Sequence, residues 1–355
     1  MKFVVVTGSA GLIGMQSSLF FIEKGFNVIG IDNDSRKKYF GNQASIIKNK
    51  KKLLELKKYE HHSFSILNKK KIEKLFSKYK GKIKCIIHCA AQPSHDWATK
   101  NILTDYQVNS LSIINILNIY KEYCPEARFI NLSTNKVYGD NPNKLSFVEK
   151  KYRFELSSKN KYYLHGFNES MSIDNCIHSF FGASKLSADL YVQEFGKYFG
   201  LNTVTFRGGC LTGENHTGTE LHGFLSFLVK TIINESTYKI FGYKGKQVRD
   251  NIHSKDIVNC FWHYYKKPKC GEIYNIGGGR KNSCSILEVI NFFKKYYKIN
   301  TNVTYFKQNR VGDHKWWISD CRKFKKDYPQ WKLKFSLKKI LTNIAEFEIM
   351  NKDRT

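Results

Sequence analysis

Short apolar runs alternate with helical repeats through the first two hundred residues of this chain. The segments KFVVVT (2–7), NVIGID (27–32), KCIIHCA (84–90), ARFINLS (127–133) and NTVTFR (202–207) are nearly continuous in apolar and β-branched residues. Such runs predict strands buried on both faces. Apolar spacing between and after them predicts helices over 12–24, 70–79, 102–123 and 182–200. Strands of this kind separated by helices form a parallel sheet covered on both sides, and right-handed crossovers make it doubly wound. The expected fold class is therefore α/β, with a doubly wound parallel sheet and a smaller, interleaved C-terminal lobe. Beyond Gly208 the alternation weakens, leaving a helix over 222–236, a strand running into a helix over 248–265 and a helix over 285–297.

Charge changes this picture little. The 355 residues carry 59 Lys+Arg against 30 Asp+Glu, a formal net charge of +29. An excess of that size attracts polyanions, but here it is mostly lysine spread over many segments. The densest run, Ile46 to His62, reads as a solvated helix with Ile46, Ile47, Leu53, Leu54 and Leu56 as its apolar side. Nucleic acid is therefore not an expected partner. The nine cysteines are scattered, without a C-x-x-C pair. Cys85 and Cys89, four apart on one face of an expected strand, read as buried thiols, a reducing cytoplasm fits the set, and no metal is expected. No run approaches the roughly 18 apolar residues of a membrane span, so no membrane partner is expected.

The first candidate for chemistry is VVVTGSAGLIG. It places Gly8, Gly11 and Gly14 after the first strand and at the opening of the first helix. Glycines there let backbone N–H groups approach a pyrophosphate, and the helix N-terminus adds partial positive charge. Asp32 ends the second strand, where a carboxylate accepts both hydroxyls of an adenosine ribose and repels a 2′-phosphate. NAD is the expected cofactor.

TGSAGLIG, HCAAQPS, Asn109, STNKVYGD, the lysine of GASK, GKQVRDNIHS and NRVGD occur in the order seen in extended short-chain dehydrogenases/reductases. The chain resembles the NAD-dependent nucleotide-sugar epimerase/dehydratase family and, within it, the CDP-paratose (CDP-tyvelose) 2-epimerase group. The resemblance implies a Rossmann NAD-binding domain over 1–207 plus 246–275 and a nucleotide-sugar lobe over 208–245 plus 276–355. It assigns Gly8, Gly11, Leu12, Ile13, Gly14, Asp32 and Asn33 to the adenosine diphosphate half of NAD. Ile66 would pack on the adenine; Ser65 stands where relatives place an aspartate. Ala90, Ala91 and Gln92 would line the cofactor, with Asn109 behind them and Lys185 beside it. Arg249 and Arg310 would grip the nucleotide diphosphate of a sugar substrate, a CDP-sugar being favoured, and Asp313 would orient its surroundings. A homodimer through helices 102–123 and 183–199 is also implied, with Ile113, Ile116, Leu186 and Leu190 on their faces.

One position departs from this pattern. The family's acid/base is a tyrosine four residues before a lysine, one helical turn apart, with the lysine's charge lowering the phenol's pKa. Thr134 and Lys185 match the threonine and lysine, but Phe181 takes the tyrosine's place and has no proton to give. Lys185 itself, Cys210, His95 and His178 are the candidate replacements. The expected activity is a nucleotide-sugar epimerase that oxidises a ring carbon, C2 by resemblance, and reduces it again. The alternatives are an NDP-sugar 4-epimerase or dehydratase, and a non-catalytic NAD- or nucleotide-sugar-binding protein. Asn135 and Lys136 follow Thr134 where dehydratases commonly carry an Asp-Glu pair.

Overall fold

A computed structural model describes residues 1–220, 222–310 and 312–352. The chain divides into two compact units, of which the first comprises Met1–Val137, Ser179–Arg207 and Ile257–Tyr274. Its sheet has seven strands: β1 (Phe3–Thr7), β2 (Asn27–Ile31), β3 (Tyr59–His62), β4 (Ile83–His88), β5 (Arg128–Thr134), β8 (Thr203–Gly208) and β12 (Glu272–Ile276). They lie in the order β3-β2-β1-β4-β5-β8-β12. The pairs β1–β2, β2–β3, β1–β4 and β4–β5 are parallel. The winding reverses between β1 and β4. In open sheets of this type the crevice beyond the carboxyl ends of such strands is where ligands bind.

Helices α1 (Leu12–Glu23), α2 (Ser35–Phe40), α3 (Ile47–Leu54), α4 (Lys69–Lys78), α5 (His95–Lys100), α6 (Ile102–Tyr106), α7 (Ser112–Tyr123) and α8 (Ser179–Phe199) belong to this unit. One core of this unit joins Val5, Ile29, Ile86 and Phe129 of the strands to Ile116 of α7 and Val192 of α8, all buried. Each such side chain contributes about 1.5–3 kcal/mol on leaving water. Ile113 and Ile116 thus face the sheet and cannot serve a dimer surface, whereas Leu190 is exposed.

The helix predicted over 102–123 is interrupted by a π turn, Gln107–Leu111. The solvated helix expected up to His62 stops at Leu54, and Tyr59–His62 is instead the edge strand β3. Its register on β2 and the Tyr59 hydroxyl on Ser9 Oγ at 2.8 Å hold it there. An edge strand with one polar side gives no apolar run to read. Of the expected apolar side, Ile46 and Leu53 are buried while Ile47 and Leu54 are exposed.

Helix α8 is fixed from inside. Asp189 is fully buried and accepts from Arg207 Nε at 2.8 Å and Nη2 at 3.0 Å, and from Ser133 Oγ at 3.2 Å and Gln193 Nε2 at 2.7 Å. One carboxylate thereby ties α8 to β5 and β8.

The second unit comprises Tyr138–His178, Gly208–Asp256 and Asn275–Thr355. The hairpin β6 (Phe147–Glu149) and β7 (Phe154–Leu156) is antiparallel, and β10 (Tyr238–Phe241) pairs β14 (Val303–Phe306) in parallel. Strand β11 (Val248–His253) pairs with β9 (Cys210–Thr212), β13 (Ser283–Ser285) and β15 (Trp316–Trp317). Leu228 and Ile232 of α9 (Phe224–Ile233) form a core with Phe293 of α11 (Ile286–Tyr297) and Ile340 and Ile344 of α13 (Leu337–Lys352). Two further helices are α10 (Ser254–Lys266) and α12 (Arg322–Asp327). Segments 138–178 and 246–256 group with this unit, where the expected boundaries placed them in the first. The pairing of β11 with β9, β13 and β15 accounts for the second of these.

Two substitutions test this packing. A Cβ at residue 14 would stand 2.0 Å from Gly8 O and 2.7 Å from its carbonyl carbon. Gly14→Ala should therefore destabilise the chain by about 1–3 kcal/mol in urea unfolding. Asp189→Ala removes the carboxylate that holds the buried Arg207 guanidinium and should cost about 3–5 kcal/mol in the same measurement.

Candidate active site

The glycine turn follows directly from the end of β1. Gly8 has φ +64°, its N–H donates to Ile31 O at 2.8 Å, and Gly11 N–H donates to Gly8 O at 3.1 Å. A Cβ on Gly8 would press on the backbone of Ala90, 2.8 Å from its nitrogen. Helix α1 then begins at Leu12 with Gly11 as its cap residue and no side-chain capping bond. The first N–H groups of α1, at Leu12, Ile13 and Gly14, are thus left uncapped by a side chain, which suits a phosphate.

Asp32 lies at the end of β2, where its Oδ2 accepts from Ala10 N–H and its Oδ1 from Asp34 N–H, both at 3.0 Å. Burial raises its pKa, against those two hydrogen bonds. The carboxylate is therefore fastened to the glycine turn. Asn33 Oδ1 is taken by Ser35, from both N–H and hydroxyl. Ile66 is buried, and Ser65 Oγ accepts from Leu67 N–H at 3.2 Å. These groups fit the adenosine half of a dinucleotide, with the turn for its pyrophosphate.

Ala90 and Ala91 are half-buried beyond β4, and Ala90 N–H donates to Thr7 Oγ1. Gln92 is turned inward rather than toward a ligand. Its Nε2 donates to Ser94 O and to Asp105 Oδ1, each at 2.8 Å, and its Oε1 accepts from Ser94 N–H. Asn109 sits in the π turn and exchanges bonds with the Gln92 backbone at 3.0 and 2.8 Å while also donating to Asp105. Both amides bond within the protein and position the loop after β4. That loop leads through the Ser94 cap, which accepts from Trp97 N–H, into α5, whose first residue is His95.

Thr134 ends β5, and its Oγ1 accepts from Lys136 N–H and donates to Asn135 Oδ1, both at 3.3 Å. Lys185 is buried on α8 and its Nζ donates to Leu132 O at 3.0 Å. Burial pushes its ammonium down to about 8, while the carboxylates of Asp189 and Asp105 pull the other way. Phe181 stands one turn earlier, 6% exposed. Its ring meets the His95 imidazole edge-on, with centroids 4.9 Å apart. His95 Nδ1 is 2.8 Å from Ser179 Oγ. Because β1, β4 and β5 are parallel, Thr134 and the glycine turn share the carboxyl edge of the sheet.

The remaining candidates belong to the second unit. Arg249 is nearly buried on β11, where Nη1 donates to Val248 O and Nη2 pairs with Asp313. Asp313 is thus a partner of Arg249. The Arg310 guanidinium lies 4.3 Å from the centre of the Phe241 ring. Cys210 is on β9, half-buried, opposite Asn251. His178 Nε2 is bound within its own loop, 2.8 Å from Ile173 O and 3.3 Å from Cys176 Sγ. Trp316 and Trp317 are fully buried core residues. Three residues that sequence pattern did not single out now matter: Asp189, Arg207 and Ser179. An Asp four residues after a Lys reads as an exposed helical pair, and nothing local marks it as buried.

Comparison with known proteins agrees with this geometry. The model of the NAD dependent epimerase/dehydratase family matches residues 4–277. The chain is 29% identical over 328 residues to CDP-paratose 2-epimerase of Salmonella typhi, covering 90% of this chain and 91% of that protein. It is 27% identical to UDP-glucuronate 4-epimerase of Thermodesulfobacterium geofontis, over 83% of this chain and 80% of that protein. The fold matches that of dTDP-glucose 4,6-dehydratase from Bacillus anthracis in complex with NAD, with a TM-score of 0.77, 19% identity and coverage of 99% and 98%. Among the described residues no helix is long and apolar enough to cross a membrane. With this sheet, this glycine turn and a match spanning most of its length, the chain belongs to the NAD dependent epimerase/dehydratase family, and NAD is its cofactor.

Proposed function

We propose that the protein is a nucleotide-sugar 2-epimerase that keeps its NAD through the catalytic cycle. The observation that carries this is the survival of the site around Phe181. Lys185 and Thr134 stand at the sheet edge that bears the glycine turn, with the lysine buried and held by Leu132 O. The likeness over nine-tenths of the chain to a CDP-paratose 2-epimerase favours C2 and a CDP-sugar.

Gly8, Gly11, Leu12, Ile13, Gly14, Asp32, Asn33 and Ile66 would hold the adenosine diphosphate half of NAD, with the backbone of Ala90 to Gln92 beyond. When bound, NAD supplies a hydride acceptor and then a donor for one ring carbon. The chain's own part is to orient the sugar hydroxyl and move its proton. Thr134 offers the hydroxyl a partner. Lys185 supplies a cation that stabilises developing alkoxide charge. Arg249 and Arg310 suit a diphosphate, since a guanidinium meets phosphate oxygens two at a time. Asn135 and Lys136 after Thr134 favour epimerisation over dehydration. Phe181 specifically favours a second reading, a binding protein that holds NAD and a sugar nucleotide without turnover.

The reading predicts that denatured protein releases NAD, and that native protein inverts one ring carbon of a CDP-hexose with no net NADH formed. NMR of the sugar checks this, and bound NAD with no inversion of CDP-, GDP- or UDP-hexoses would leave the binding-protein reading.

Turnover should also fall as pH rises through about 8, because Lys185 is charged below its shifted pKa and neutral above it. Lys185→Met should lower kcat by roughly 10²–10⁴-fold and remove that limb of the pH profile.

A homodimer through α6 and α8 is part of the same proposal. Leu103, Tyr106, Leu190 and Tyr191 are exposed on these helices. Leu190→Glu should shift the sedimentation coefficient to that of a monomer.

A further inference from the structure

The family's tyrosine is absent from α8, and the group packed against its replacement is an imidazole. His95 opens α5 and lies edge-on to Phe181, 4.9 Å between centroids and 70° between planes. It is half-buried, as a group that must meet a substrate has to be. Its orientation is fixed from two sides. Ser94 caps α5 and is itself bracketed by the Gln92 amide, which sets the start of the helix. Ser179 Oγ then stands 2.8 Å from His95 Nδ1.

Ser179 holds this position at a cost. Its φ is +60°, in the left-handed region that non-glycine residues avoid. The strain falls at the first residue of the helix that carries Phe181 and Lys185. The same Oγ accepts from Gly182 N–H at 3.3 Å. That hydroxyl keeps one lone pair and its own proton, so it pairs with either neutral tautomer of His95 and accepts from the one that carries N–H on Nδ1. With the proton held on Nδ1, the basic lone pair of the neutral ring is on Nε2. This is the arrangement of an imidazole acting as a general base with its other nitrogen oriented by a partner.

From this geometry we infer that His95, oriented by Ser179, is the general acid/base that serves in place of the phenol missing at position 181. The inference rests on the epimerase reading above. In the oxidative step the sugar O–H bond breaks and its proton passes to His95. The C–H electron pair leaves the same carbon as the hydride that NAD takes up, so a ketone forms. In the reductive step hydride returns to the other face, and His95 gives its proton back to the oxygen. Protons and electrons both return to the sugar, and no external reductant is needed. His95 is the catalytic residue of this pair and Ser179 a positioning residue.

The test is a set of four proteins assayed for sugar inversion, each checked for retained NAD and unchanged melting temperature. These are the wild type, His95→Ala, Phe181→Tyr and the double variant His95→Ala/Phe181→Tyr. His95→Ala should lose on the order of 10²–10⁴-fold in kcat with little change in KM. The double variant should recover much of that loss, because a phenol beside Lys185 restores the family's usual proton path. A merely structural role for His95 predicts no rescue by Phe181→Tyr. Should His95→Ala fold poorly, His95→Gln with and without Phe181→Tyr reads out the same rescue. Full activity in His95→Ala overturns the inference, as does loss that Phe181→Tyr cannot repair. A wild type that binds NAD yet turns over only after Phe181→Tyr overturns it too while leaving the chemistry of the site standing. No inversion by any of the four proteins sinks the epimerase reading itself, and the inference with it.

Discussion

The buried carboxylate of Asp189 is the interaction on which the rest of the site depends. It receives a two-pronged guanidinium from Arg207 on β8 and a hydroxyl from Ser133 on β5, and so fixes the rotation of α8 about its own axis. Lys185 lies one turn earlier on that axis and Phe181 one turn earlier again. A helix face that points at a sheet usually does so by apolar packing, which tolerates small rotations. A charged fork does not, because its two directional bonds hold one geometry in a low dielectric. The position of the lysine is therefore set electrostatically. The same carboxylate also helps keep Lys185 charged against the burial that pushes its pKa down.

A second network sets the opposite wall. Asp105 Oδ1, Asn109 and Gln92 are hydrogen-bonded to one another in the interior, and Asn109 reaches the loop after β4 from the π turn at Gln107–Leu111. π turns recur at functional sites because one extra residue re-aims a side chain. Here the consequence runs through Gln92 to Ser94 and from there to the first turn of α5. The strained Ser179 closes the circuit from the α8 side. Two independently braced helices thus bring an imidazole against the ring of Phe181. Loss of the phenol would then have removed one proton carrier from a site that already held another beside it.

Much of the first unit was legible in the chain itself. β1, β2, β4, β5 and β8 announce themselves as apolar runs, and the glycine turn is legible because a Cβ on Gly14 would collide with Gly8 O and one on Gly8 with the backbone of Ala90. β3 was not, since Tyr-Glu-His-His at a sheet edge has no apolar periodicity. The short β6, β7, β9 and β13 carry too few residues to show a period. For the site, Thr134, Phe181 and Lys185 were placed by the resemblance of their motifs to those of the family. Gln92 was expected to line the cofactor and Asn109 to stand behind it; the bonds of both amides to Asp105 and the loop were not legible, because sequence cannot distinguish a side chain that faces a ligand from one that braces the loop holding it. Asp189 and Ser179 were invisible for a related reason. Burial of a polar residue and a left-handed φ are set by what packs around them, not by their neighbours in the chain.

In the proposed epimerisation, hydride leaves a sugar carbon and returns to the same carbon within one active site. This is tested most directly with a CDP-hexose carrying deuterium at C2, incubated with catalytic protein in ordinary water and examined by NMR and mass spectrometry. Hydride transfer gives an inverted C2 that retains its deuterium, with none lost to solvent. Inversion accompanied by washout of the label would mean proton abstraction from carbon instead of hydride transfer, and would contradict it.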